Sequence, residues 1–145
     1  MSLLVHLLVE AEADRSGESV HNCVEAIAAD LGPSLIPAAV AATALEAKAW
    51  WKEFGGDVPS MFDSMALARA SFGRPLTTLG ARALPGLRAA LADRDSFVRA
   101  EAAAFLAQLG DVARPALPAL TTALTRESSH WPRHKMQTAI DAIGR

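Results

Sequence analysis

Apolar residues recur at intervals of three and four in two separated windows of this chain: Val20, Val24, Ile27, Ala28 and Leu31, then Val98, Ala102, Phe105, Leu106 and Leu109. That spacing marks one face of an α-helix. Both windows close on Leu-Gly, and two further segments align with them without gaps. The four are "HNCVEAIAADLG" (21–32), "RASFGRPLTTLG" (69–80), "RAEAAAFLAQLG" (99–110) and "RHKMQTAIDAIG" (133–144). Gly32, Gly80, Gly110 and Gly144 therefore sit where a left-handed helix cap is expected. After the first three, a proline follows at a fixed offset: Pro37, Pro85 and Pro115. The stretches they open, "PAAVAATAL", "PGLRAAL" and "PALPALTTAL", read as the first helix of the next repeat, with proline tolerated in the opening turn.

Composition narrows the class. The 145 residues are 51% hydrophobic, much of it Ala, with no Tyr; helix formers dominate, so an all-α chain is expected. The length suits one domain, 1–145, divided into repeats at about 1–32, 33–80, 81–110 and 111–145. A single cysteine, Cys23, excludes an internal disulfide and fits a reducing, cytoplasmic setting. The apolar start "LLVHLLV" lacks a basic flank and is too short for a signal peptide or a membrane span.

The continuous stretch "LGARALPGLRAALADRDSFVRAEAAAFLAQLGDVARPALPAL" (79–120) resembles the HEAT-repeat family, in particular the short HEAT-like repeats of phycobilisome lyases. The shared pattern is Leu-Gly, then Ala-x-Pro-x-Leu-x-x-x-Leu, an Asp-containing turn, Val-Arg and an Ala-rich second helix. The resemblance implies a right-handed α-α superhelix, a solenoid of about four helix pairs. It also implies that the turn Asp and the following Arg pair along the stack; Asp95 and Arg99 match those positions. Independently of the resemblance, a single helix pair cannot bury its own stripe, so stacking of about three or more is needed.

Spacing between the closing glycines runs 48, 30 and 34 residues, so the second repeat carries an excess, and "AWWKEFGGDVPSM" (49–61) lies in it. "GRP" at 73–75 should break the second helix of that repeat. Val40, Ala44, Ala47, Trp51 and Phe54 share a stripe, which places Trp51 in the core. Trp50 lies about 100° away, beside Glu46 and Glu53. It reads either as a partner contact, with Lys52 and Asp57 nearby, or as a capping contact with the 54–59 loop. The Gly-Gly pair lacks the Lys and Ser/Thr of a phosphate loop.

The second unusual stretch is "RESSHWPRHKM" (126–136), where Ser128 or Ser129 would cap the last helix. Arg126, His130, Arg133, His134 and Lys135 surround Trp131, a cation-and-aromatic cluster suited to phosphate, carboxylate or an acidic protein surface. The alternative is a solvated helix terminus. No third ligand joins His130 and His134 at a metal-site spacing. Cys23 shares a column with Ser71, Glu101 and Lys135, which predicts partial exposure for Cys23. No pattern asks for a cofactor, and no nucleophile has a spaced partner.

Charge is split along the chain: residues 1–64 carry ten acids and three bases, residues 65–145 six acids and eleven bases. Such poles can orient a partner or align copies head to tail. The apolar N-terminal helix, with Leu4, Leu8 and Ala11 on one stripe, offers a self-association surface or is wrapped by its own repeat. The C-terminal helix is either a cap or the junction to a longer array.

These readings rank a non-catalytic protein-recognition module first: an adaptor, scaffold or immunity-type protein. Alternatives are a HEAT-like nucleic-acid-binding or alkylation-repair protein, suggested by Trp131, Arg133 and Asp141 on the basic half, and a bilin-handling protein, suggested by the lyase resemblance alone.

Overall fold

A computed structural model describes residues 30–54, 76 and 78–145, with the side chains of Trp50 and Phe54 outside that description. The N-terminal helix, Cys23, the 54–59 loop beyond Phe54 with its Asp57, Arg69, Ser71 and the 73–75 break all lie outside the described residues. Every regular element among the described residues is helical. The chain divides into two compact units, residues 1–79 and 80–145.

In the first unit, Gly32 (φ 54°) opens a short 3-10 turn, Gly32–Ser34, that leads into α1 (Leu35–Phe54). Pro37 stands in the first turn of α1, where the missing N–H has no intrahelical partner to lose. Leu35, Ile36, Ala39, Val40, Ala44 and Ala47 are buried. Thr43 is buried among them, and its hydroxyl donates to the Val40 carbonyl at 3.1 Å, which satisfies it inside the helix. Trp51 does not join this core: it is 38% exposed. Periodicity fixes the direction in which a side chain points but not how far along the axis the core continues. Ala47 is the last buried position of α1 among the described side chains.

The second unit opens the same way. Gly80 (φ 52°) starts a 3-10 turn, Gly80–Ala83, followed by α2 (Leu84–Ala90) with Pro85 in its first turn. A turn over 91–95 leads to α3 (Ser96–Leu109), and Gly110 (φ 60°) starts a longer 3-10 segment, Gly110–Ala116. The unit ends with α4 (Leu117–Arg126) and α5 (His130–Ile143).

Three local expectations change here. Pro115 lies inside the 3-10 segment, and Pro118 takes the place in the first turn of α4. Pro115 has no N–H to donate, yet the 3-10 bonding passes over it: the Leu117 N–H donates to the Arg114 carbonyl. Gly144 is right-handed, at φ −77°, and its N–H closes an ordinary helical bond to the Ile140 carbonyl at 2.8 Å. Ser129 is the N-cap of α5 by backbone position, without a side-chain capping bond.

Helices α3 and α5 make the most extensive packing described; α2 lies on α3, and α4 lies on α5. The two helix pairs of this unit thus stack through their second helices. The core is Leu87, Ala100, Ala102, Ala103, Phe105, Leu106, Leu120, Met136, Ala139 and Ile143, all at most 1% exposed. The alanines leave little between neighbouring backbones, which lets the helices approach closely. Glu101 is fully buried at 0%. Because α2, α5 and the 3-10 segment all pack on α3, more than one of its faces is covered.

Candidate functional site

The turn between α2 and α3 is built by its own side chains. Asp93 Oδ1 accepts from the Asp95 N–H at 2.8 Å, and Asp95 Oδ1 accepts from the Phe97 N–H at 2.9 Å as the N-cap of α3. Arg99, one turn into α3, folds back and donates through one terminal nitrogen to the carbonyls of Asp93 (2.8 Å) and Arg94 (3.0 Å).

Its Nε reaches further. It donates to Glu127 Oε2 at 2.6 Å, in the turn between α4 and α5. Glu127 in turn accepts from the Ser129 N–H through Oε1 at 2.9 Å, so both carboxylate oxygens are occupied. The Glu127 side chain is only 2% exposed and that of Arg99 20%. The Arg99 hydrogen bond is the chief reason the Glu127 carboxyl is held below the usual glutamate range; burial opposes it, and the Ser129 N–H supports it. Arg133 repeats the first half of the device, donating to the carbonyls of Leu124 (3.2 Å) and Glu127 (2.8 Å).

This clamp borders an open cleft of about 600 Å³ on the second unit, lined by residues of α2, α4 and both turns. Leu91, Ala92, Pro118, Ala119 and Ala123 supply apolar lining. Arg88, in the last turn of α2, and Arg126, in the last turn of α4, stand on its rim, both exposed. Among the described residues, neither has a hydrogen-bond or ion-pair partner. Thr122 is turned inward on its own helix, donating to the Pro118 carbonyl at 2.9 Å.

Of the residues singled out from the sequence, Trp131 and Lys135 come together on α5. Lys135 Nζ lies 4.7 Å from the centroid of the half-buried Trp131 ring, a cation–π contact. His130 and His134 are exposed on the same helix. Arg133 is exposed, but its guanidinium is committed to the turn carbonyls. Lys52 is exposed in the last turn of α1. Asp57 and the Trp50 side chain lie outside the described residues.

Arg99 pairs along the stack, its partner being an acid of the next turn. Asp95 Oδ1 caps α3, and the carboxylate on Arg99 is that of Glu127. Glu127 and Arg88 are absent from the sequence-derived set. A signal for Glu127 was present: it follows Asp93 by the 34 residues that separate Arg99 from Arg133 and Gly110 from Gly144. Arg88 had no such marker. Among the described residues, no cluster of three His, Cys, Asp or Glu side chains could hold a metal, and no helix is long and apolar enough to cross a membrane.

Paired helices stacked through their second members, with a positive-φ glycine opening the second unit and another between its pairs, define an all-α helical-repeat protein. The chain matches HEAT repeats over residues 64–141, more than half its length, and belongs to that family. No curated protein and no solved structure matches it.

Proposed function

We propose that this chain is a non-catalytic protein-recognition module, of the adaptor, scaffold or immunity type, working in the cytoplasm. The observation that carries this reading is the Arg99–Glu127 clamp. It ties consecutive turns together and holds beside them an open, partly apolar cleft with two arginines on its rim. A surface held in place before its partner arrives loses little side-chain or loop freedom on binding, and that favours recognition. HEAT repeats commonly mediate protein interactions, which points the same way.

The test is chemical cross-linking of the full chain in extracts of its native host, comparing wild type with Arg126→Glu. A discrete partner retained by wild type and lost by the variant supports the module. The nucleic-acid alternative is read in parallel by titrating duplex DNA at rising salt. Micromolar binding that falls steeply with salt would replace this reading with a DNA-binding one.

A further inference from the structure

We propose that the cleft between α2 and α4 receives a short acidic segment of a protein partner, with Arg88 and Arg126 each taking a carboxylate and an apolar side chain between them resting on Leu91 and Pro118. This rests on the recognition-module reading and names its ligand chemistry.

Charge selects the ligand first. Three arginines line the cleft, and among the described residues Glu127 is the one acid that does. Glu127 is consumed by Arg99, with its other oxygen on the Ser129 N–H. Arg88 and Arg126 have no hydrogen-bond or ion-pair partner among the described residues, so the cleft lining carries a surplus of two positive charges. An arginine fork matches a carboxylate in two parallel hydrogen bonds.

The apolar lining selects among anions. Leu91 is 4% exposed and forms floor rather than rim. A sugar-phosphate backbone has no apolar side chain to set against Leu91 and Pro118, whereas a peptide does. A volume of about 600 Å³ fits a few residues of peptide and not a whole helix face.

Arg88 and Arg126 also sit at helix C-termini, where any cation complements the helix dipole. Lysine keeps that role but loses the fork, so Arg-to-Lys substitution separates binding from stability.

The probe is a fluorescein-labelled Asp-Glu-Leu-Asp-Glu-Leu hexapeptide, titrated by anisotropy against the full chain. Wild type is expected to bind it, more weakly as salt rises. The double variant R88K/R126K should bind about tenfold more weakly with an unchanged melting temperature. R88E/R126E should abolish binding; if it fails to fold, the lysine variant still decides the point. Binding that both double variants leave intact would overturn the proposal. So would no binding up to about 1 mM, the weak end of the affinity scale, or tighter binding of a duplex DNA with the same arginine dependence. If the peptide fails while a cross-linked partner still depends on Arg126, the acidic chemistry is wrong and the module stands. If both fail, both readings fall.

Discussion

Arg99 and Glu127 meet across 28 residues of chain, and nearly all of the Glu127 carboxylate is withdrawn from water. Removing one partner leaves the other charge buried, a larger loss than the pair itself contributes. Arg99→Ala should therefore cost about 2–4 kcal/mol, somewhat less than for a fully buried pair because Arg99 keeps partial exposure; urea denaturation measures it. The pH dependence has a definite sign. The folded pKa of Glu127 is lowered, so its contribution is complete above the ordinary glutamate range, about pH 4–5. It is lost as pH falls through the lowered folded value. Glu127→Gln should be less stable than wild type at pH 7, with the gap closing on acidification. A gap that stays constant down to pH 3 would show that charge is not what the clamp uses. At this scale the sequence was a partial guide. Asp95 and Arg99 stood out by pattern, yet which acid an arginine takes depends on which turn lies beside it, and that is set by stacking.

At the scale of single elements, the glycines that precede the 3-10 turns carry the repeat. Gly80 and Gly110 have φ of 52° and 60°, and a Cβ at either site would meet nothing within 4 Å. Substitution is penalised by backbone conformation and not by crowding. Gly80→Ala should cost about 1–2 kcal/mol. Gly110→Ala should cost more, up to about 3 kcal/mol, since its ψ of −129° puts it in a region L side chains scarcely enter. Thermal melts would show it, and a neutral Gly110→Ala would mean the turn reorganises freely. The order Leu-Gly, turn and proline was readable because backbone geometry restricts these positions locally. Gly144 shares the pattern but has φ −77°: a glycine permits the left-handed conformation without imposing it.

For the molecule as a whole, helix α3 is the keystone of the second unit, since α2, α5 and the 3-10 segment all pack on it. Phe105→Ala, at a side chain 1% exposed, should cost about 3–5 kcal/mol. Leu45→Ala on α1, at 55% exposure, should stay within about 0.5 kcal/mol. Equal effects of the two in denaturation would contradict this distribution of the core. By itself the sequence determined that the chain is helical, that helices come in repeated pairs, and where the turns of the second unit fall, because periodicity, propensity and turn chemistry are local properties. It also marked Trp131 and Lys135 as a cation and an aromatic one helical turn apart. Only the tertiary structure decided that Glu101 is enclosed, that Trp51 is not, that Glu127 is the counter-ion of Arg99, and that Arg88 and Arg126 share a cleft. Each of those depends on what a second helix places opposite a given face, and no run of neighbouring residues contains that information.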